Sequence, residues 1–415
     1  MSEVNRRQLL RGAGIGAAVL TGSGGLARLA WAADEPPSFV PGLPSGVHDT
    51  AILDALPGKK PLIKLSYRPP NYETPVAYFK DAITPNDAFF VRYHLSGIPD
   101  EIDPKDWRLK IGGEAAASPY DLTLEELQSG FEQVEITAVC QCSGNRRGLS
   151  VPHVAGVEWS VGAMGNAVWR GVRLKDILAK AGLRKDAVEL VLNGADGPVL
   201  DKTPDFVKSI PVWKGLDENT IIAHRMNGEP LPHFNGFPAR LIVPGWTATY
   251  WMKHLVTIDA VTKPFDGFWV KGAYRIPTGK FPIVQHFETQ ATAVNEPITE
   301  MVVNSLIASP AEGQRVRVKL PVEITGVAWD GGYGIRRVEV SVDNGKAWEE
   351  AALGPDLGRF AFRSWSFRYI PSTPGKHTVI ARASNAIGQT QAESLIFNPA
   401  GYLNNVPLPL TIIAA

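Results

Sequence analysis

The sequence predicts an α+β chain, with a mixed α/β domain followed by an all-β immunoglobulin-like sandwich. Three observations predict it. Glycine and proline number 40 and 33 of 415 residues, which favours short strands and irregular connections over a helical bundle. Short strand-like and helix-like segments alternate irregularly up to about residue 300, without regular βαβ winding. Beyond residue 300 only strand-like runs follow one another, at sandwich spacing. The length suits two or three domains, and 44% hydrophobic with 20% charged residues fits a globular protein with ample core. Forty-two basic residues balance 42 acidic ones, so no global field points to nucleic acid or an anionic membrane. Any anion site must be built locally.

In chain order, Arg6-Arg7, Leu9-Leu10 and a glycine-rich apolar stretch from Gly12 to Leu20 precede Ala30-Trp31-Ala32. This reads as a twin-arginine (Tat) signal over residues 1–32, cut before Ala33, and predicts export of a folded protein to the periplasm. The apolar run is too short to span a bilayer, so no membrane span is expected. Residues 33–75 are proline-rich and predict an extended arm. From Asp87 to Leu95 the pattern alternates, with Phe89, Val91, Tyr93 and Leu95 on one face and Phe90, Arg92 and His94 on the other. Arg92 and His94 would leave one strand face about 7 Å apart, where a fixed cation beside a titratable imidazole suits an anion plus proton control. Thr123 and Glu126 predict a capping box opening a helix Leu124 to Gln128. A second helix is predicted from Leu174 to Ala181, stopped by Gly182. Strands follow at Val188 to Leu192, Thr220 to Met226 and Ala239 to Val243. In the sandwich they are expected at Val316 to Val327, Gly334 to Val342, Ala347 to Ala352, Ser364 to Tyr369 and Lys376 to Ala383.

The most telling run is AVCQCSGNRRG, Ala138 to Gly148. Val134, Ile136 and Val139 predict a strand that delivers Cys142 into a Ser-Gly-Asn turn backed by Arg146 and Arg147. Flanking guanidiniums favour a metal-binding thiolate, Gly144 permits close approach of a ligand, and turn amides can hold an anion. A buried structural cysteine followed by a solvated arginine pair reads equally well from these residues alone. Cys140 and Cys142 are the chain's two cysteines, and a bridge between them would close a tiny, nearly useless loop. A functional thiolate at one, with Cys140 as a small core residue, is the better expectation. Nothing near them in sequence supplies the Met or His of a copper site.

CSGNRR, residues 142–147, resembles the C-A-G-N-R-R signature of the sulfite oxidase family, in which the cysteine ligates molybdenum held by a molybdopterin dithiolene. Further motifs follow in order. FFVRYH at residues 89–94 resembles the family segment in which Arg92 and His94 would contact cofactor and substrate, with Phe90 on the cofactor side. Asp196, in a Asn-Gly-Ala-Asp-Gly turn, falls where the family uses an Asp on the pterin. NGFPAR at residues 235–240, then Pro244-Gly245, resembles H-G-F-P-x-R…P-G, with Asn235 in place of the family His and His233 two positions earlier. Arg240 matches a substrate-site arginine, Lys253 a cofactor-phosphate contact with Trp251 beside it, and Tyr274 an active-site tyrosine.

The resemblance spans about residues 80–400. It implies a molybdopterin-binding catalytic domain over 76–299 and a dimerisation-type sandwich over 300–415, whose DNGKAW at 343–348 is similar to the family's D-G-G-x-x-W. Cys142 would be the metal ligand. Phe90, Arg92, His94, Asp196, Asn235, Arg240, Trp251 and Lys253 would hold the cofactor, and Arg92, His94, Arg147, Arg240 and Tyr274 would serve catalysis. The free-standing bacterial periplasmic sulfite dehydrogenases are the branch most resembled. The implied reaction is sulfite to sulfate, with electrons passed to a c-type cytochrome, either a dedicated haem-c subunit in a heterodimer or a visiting protein to a homodimer. No haem is expected in the chain, which has no C-x-x-C-H. The main rival is the sulfane dehydrogenase subunit of a thiosulfate-oxidising complex, with the same cofactor. A sulfoxide reductase of the family fits less well, since those lack the sandwich. An exported adhesion module would leave the cysteine turn and the later motifs unexplained.

Overall fold

Two long antiparallel strands, Gln133–Gln141 and Met164–Arg173, form the spine on which the cysteine turn is mounted. β-Branched residues fill the first, and the pair stays in register from Gln133↔Val172 to Gln141↔Met164. This is a computed structural model, and it describes residues 53–277, 290–291 and 295–415. The predicted signal segment and the first part of the arm lie outside the described residues. Ile221–Met226 pairs with the second spine strand and carries Arg240–Ile242 on its continuation. It turns into Glu229–Pro230 through Asn227 (φ 51°) and Gly228 (φ 83°), the left-handed pair that a tight hairpin needs.

A second sheet orders Lys208–Pro211, Glu189–Gly194, Leu255–Val261, Arg108–Gly112 and Tyr120–Thr123 side by side. Glu189–Gly194 delivers the Asp196 turn, whose Gly197 bridges to Gly97 through paired main-chain hydrogen bonds of 2.8 and 3.2 Å. The helix Leu124–Ser129 opens with the expected reciprocal Thr123–Glu126 capping box. Leu174–Ala181 buries Leu174, Ile177, Leu178 and Ala181 and stops at left-handed Gly182. One continuous hydrophobic core joins both sheets and these helices.

The Asp87 to Leu95 segment departs from its expectation. Only Val91–Arg92 is strand, preceded by a 3-10 turn at Asn86–Ala88, and Phe90 is as buried as the supposed inner face. Recess and core lie on opposite sides of the segment, so both faces are covered and edge pairing on its own is brief. The described part of the predicted arm is not loose chain. Leu53–Asp54, Leu62–Ser66 and Asn71–Glu73 pair in sequence and end on Val91–Arg92.

The β-rich C-terminal part is two packed sheets. One orders Asn304–Ser309, Val322–Trp329, Arg363–Tyr369 and Ala352–Leu353; the other orders Arg315–Val316, Pro409–Ala414, Gly375–Asn385, Ile335–Ser341 and Glu349–Glu350. Ile324, Trp365, Val338, Val340, Val379 and Ala381 fill the space between them. The expected Val316 to Val327 strand is two strands, because Lys319 is left-handed (φ 64°) and Pro321 cannot donate to a ladder. Ala347 to Ala352 is likewise divided between the sheets at Ala351. Met164–Arg173, Asn304–Ser309 and Pro409–Ala414 were not foreseen from the sequence.

The C-terminal part is fastened to the back of the cysteine strand. Val139 donates its N–H to Phe360 O at 2.9 Å, and Trp329 Nε1 donates to Gln141 Oε1 at 2.5 Å. Arg146 is fully buried and left-handed (φ 68°), and its guanidinium donates to Ser305 O at 2.7 Å and Val406 O at 3.0 Å over the Trp329 ring. Burial pushes its pKa down to about 9, so it remains charged at neutral pH. Replacing Arg146 by Met would leave two buried carbonyls without a charged donor, at about 1.5–3 kcal/mol per bond. Arg146→Met is expected to lower unfolding stability by roughly 3 kcal/mol, measured by denaturant titration, with the midpoint shifting and the slope unchanged.

Candidate functional site

Cys142 leaves the spine strand at a turn closed by Asn145 N–H to Cys142 O (3.0 Å), while Cys142 N–H still reaches Ala163 O (2.9 Å). Asn145 Oδ1 accepts from Ala163 N–H at 3.1 Å, which locks the turn to the next strand. Gly144 is needed for room, since a Cβ there would meet Arg147 Nη2 at 2.5 Å. Both cysteines are free and buried.

Cys142 opens into a recess. Its wall includes Phe90, Arg92, His94, Asp196, Asn235, Arg240, Trp251, Lys253 and Tyr274. Nine of the residues named from sequence are therefore brought together with Cys142. The alternating face Phe90, Arg92, His94 does point inward, although the strand is short. Arg147 and Arg146 do not line the wall. Arg146 is turned away by its left-handed backbone, and Arg147 gives Nε to Ala400 O at 2.6 Å and Nη1 to Val157 O at 3.3 Å. The expected pair of guanidiniums flanking the thiol is thus corrected: both arginines fasten the turn to its surroundings.

Three cations of the wall face one carboxylate. Arg240 lies between Trp169 (5.6 Å) and Trp251 (5.8 Å) and donates to Trp251 O (3.2 Å), Asn235 O (3.2 Å) and Cys140 Sγ (3.3 Å). Of its five N–H groups, two remain for a ligand. Cys140 is the small core residue expected, with the addition that its sulfur accepts from this guanidinium. Lys253 Nζ donates to Arg92 O at 2.8 Å above the Tyr93 ring, and burial pushes its pKa down to about 7. Burial raises Asp196, against the pull of Lys253.

Asn235 is held inside the protein. Lys59 Nζ donates to its Oδ1, and its Nδ2 donates to Phe90 O at 3.1 Å. Lys59 is a cation that the sequence did not reveal beneath this position, and burial pushes it down to about 7.

At the other end, His94 Nε2 meets the Tyr274 hydroxyl in a short contact, and the His94 ring stacks on Phe206 at 3.7 Å with Trp269 at 5.0 Å. Burial, then Arg92, Lys253, Lys208 and Arg147, hold His94 well below the usual imidazole range, so it is neutral. Tyr274 is left-handed (φ 57°), an arrangement that costs a non-glycine residue about 1–2 kcal/mol.

Ser143, Phe206, Phe234, Ala248, Thr249 and Met252 complete the wall. Ser143 and Thr249 adjoin motif residues and were within reach of sequence reasoning, whereas Phe206 carries no local signal. The hydroxyls of Ser143 and Thr249 are buried with no partner among the described residues. On the wall of the recess both hydroxyls are available to donate to a bound polar anion. No group of three or more His, Cys, Asp or Glu side chains gathers among the described residues. A metal at Cys142 would accordingly take its remaining ligands from a bound organic group, which the residues present can accommodate.

The buried charge of Lys253 has a consequence for stability. A lysine whose folded pKa lies below its unfolded value binds fewer protons when folded, so stability is gained as pH rises from about 7 toward 10.5. In cofactor-free protein, Lys253→Met should reduce the rise in thermal midpoint between pH 6.5 and pH 9, measured by calorimetry.

Comparison with known proteins places this geometry. Residues 94–269 match the family description "Oxidoreductase molybdopterin binding domain", and residues 295–413 match "Mo-co oxidoreductase dimerisation domain". The chain is 32% identical to rat mitochondrial sulfite oxidase over 365 residues, covering 84% of this chain and 65% of the rat protein. It thus spans about two thirds of the length of that relative. Chicken sulfite oxidase is 31% identical, covering 82% of this chain and 75% of the chicken protein. The crystal structure of the sulfane dehydrogenase SoxCD from Paracoccus pantotrophus superposes with a TM-score of 0.71 at 26% identity, covering 92% of this chain and 94% of that one. These matches run through both the domain that carries the recess and the β-rich part behind it, and this chain belongs to the sulfite oxidase family.

Proposed function

We propose that the protein oxidises sulfite to sulfate at a molybdenum–molybdopterin centre in the recess. The carrying observation is the concentration of Arg92, Arg240 and Lys253 around Cys142, with one carboxylate and two unpaired hydroxyls. In the balanced reaction, sulfite and water give sulfate, two protons and two electrons. When bound, the centre would supply the two-electron acceptor and the oxygen-transfer chemistry. Cys142 Sγ would offer it a soft donor. Lys253, Asp196, Trp251, Phe90, Asn235 and the Ser143 and Thr249 hydroxyls would hold the phosphorylated pterin, although Asn235 already spends its amide on Lys59 and Phe90 O.

Arg92 and the two remaining N–H groups of Arg240 would bind the oxyanion by charge-assisted hydrogen bonds. Tyr274 Oη and His94 Nε2 hold one proton between them, and neutral His94 leaves the cationic charge to the arginines. Phe206, Trp269 and the His94 ring exclude water from that end. Arg147 would act on this pocket through its charge, from behind Tyr402.

Electrons would leave one at a time to a c-type cytochrome, and we favour a dedicated haem-c subunit over a visiting one. The Arg6-Arg7 pair supports Tat export to the periplasm, a route that allows cofactor insertion before transport. The C-terminal sheets are read as an immunoglobulin-like, dimerisation-type domain starting near residue 300. A second reading, a sulfane dehydrogenase subunit acting on carrier-bound sulfur, is favoured by the likeness to SoxCD.

Cys142→Ser should abolish sulfite-dependent cytochrome c reduction, because a hydroxyl is a harder and weaker ligand; Cys140→Ser, which keeps an acceptor for Arg240, should be mild. Equal inactivation of both, with cofactor retained, would count against Cys142 as the protein ligand. Arg92→Met should raise the KM for sulfite at least tenfold, since losing a buried charged hydrogen bond costs about 2–5 kcal/mol. Turnover with a persulfide-bearing carrier peptide but not with sulfite would move the assignment to the second reading. Native mass measurement with haem staining tests the partner: a haem-free homodimer at full rate with free cytochrome c removes the dedicated subunit.

A further inference from the structure

Tyr274 does not hold itself in place. Its backbone is left-handed, which few non-glycine residues adopt without outside support. Its ring lies against that of Tyr402, with centroids 5.5 Å apart and planes inclined by 21°. Lys208 Nζ stands 5.0 Å from the Tyr274 ring, and the His94 ring meets it edge-on at 5.6 Å.

Tyr402 comes from the last part of the chain and is itself rigidly fixed. Asn398 accepts its N–H at 2.9 Å and donates to its carbonyl at 2.8 Å. The next residue, Leu403, donates its N–H to Ser143 O in the cysteine turn at 3.3 Å. Arg147 stands over the Tyr402 ring at 5.4 Å and binds Ala400 O at 2.6 Å. Gly401 is left-handed (φ 60°), and a Cβ there would meet Arg147 Cγ at 2.7 Å. Tyr402 is 5% exposed, so its ring serves neither solvent nor surface.

We propose that Tyr402 is a positioning residue for Tyr274: its ring is the wall that fixes the plane and depth at which the Tyr274 hydroxyl enters the recess. The inference deepens the proposed function and rests on Tyr274 having the role given there. The C-terminal part thereby contributes to the chemistry as well as to assembly. Displacing a reacting group by about 1 Å costs on the order of a hundredfold in rate, so loss of the wall should act on turnover more than on binding.

The test uses the loaded protein and four variants. Tyr402→Met keeps the volume and removes the flat ring; Tyr402→Phe keeps the ring. Tyr402→Met should lower kcat by about tenfold to a hundredfold with KM changed less than about threefold, and Tyr402→Phe should restore kcat to within about threefold of the parent. In a Tyr274→Phe background, Tyr402→Met should cost less than about threefold, because residues that act through one group are not additive. An activity-free readout is the flip rate of the Tyr274 ring in ring-labelled protein, which should rise in Tyr402→Met and not in Tyr402→Phe; amide exchange would not separate the two, because the Tyr402 hydroxyl accepts from the Tyr274 N–H. Unchanged kcat and flip rate in Tyr402→Met, or equal losses in Met and Phe, overturn the proposal. If Tyr402→Met does not fold, a Tyr402→Phe protein with kcat lowered more than tenfold overturns it and one near the parent rate supports it. A parent protein inactive toward sulfite would refute the substrate assignment, while the flip-rate comparison would still decide whether Tyr402 fixes Tyr274.

Discussion

Buried positive charge without matching carboxylates is the constraint around which the protein is built. Lys59, Lys208, Lys253, Arg146, Arg147 and Arg240 are all withdrawn from water, and each is held chiefly by main-chain carbonyls: Phe89 and Asn86, Trp269, Arg92, Ser305 and Val406, Ala400, Asn235 and Trp251. A carbonyl satisfies an N–H donor without cancelling its charge. A carboxylate would satisfy it and neutralise the site. In the recess itself Arg92, Arg240 and Lys253 stand against a single wall carboxylate, Asp196, in a low-dielectric setting, where interactions with an anion are strongest.

Holding cations this way makes geometry depend on backbone placed by distant elements. The carbonyl of Arg92 is available to Lys253 because Val91–Arg92 is pinned at the edge of the N-terminal sheet. The carbonyl of Trp269 reaches Lys208 because the short helix Phe268–Lys271 lies over that strand. Small residues at Gly144 and Gly401 give Arg147 the space to join the cysteine turn to the end of the chain. Aromatic rings supply the remaining walls, with Trp169 and Trp251 about Arg240 and Tyr250 and Tyr274 about Lys208. Ring faces are negative and tolerate a cation without a counter-ion.

Much of this was legible in the sequence where the signal is local. The helix Leu174–Ala181 was readable from its apolar spacing and Gly182, and Leu124–Ser129 from its capping box. The inward set Phe90, Arg92 and His94 followed from alternation, even though pairing there is brief, because side-chain direction is decided residue by residue. The direction of Arg146 was not legible: a left-handed residue reverses the expected side, and nothing in Asn-Arg-Arg announces it. Met164–Arg173 escaped because Gly165, Asn166 and Gly171 dilute its strand character, and only the partner strand and the Phe89 ring over Gly165 explain those residues. Phe206, Lys59 and Lys208 reach the site from segments with no chemistry of their own. Their roles exist only after distant chain segments meet.

The fastening of the cysteine turn has a temporal consequence. Arg146 binds a carbonyl 260 residues further along, and Arg147 one 253 residues further. Contacts of such sequence separation form late, after loop closure over most of the chain. During synthesis Val157 O and Ser305 O become available to these arginines before Ala400 O and Val406 O, so the turn reaches its full set of acceptors only once residues 400–406 have been made. A chain cut before residue 400 would accordingly present a cysteine turn with Arg146 and Arg147 only partly satisfied.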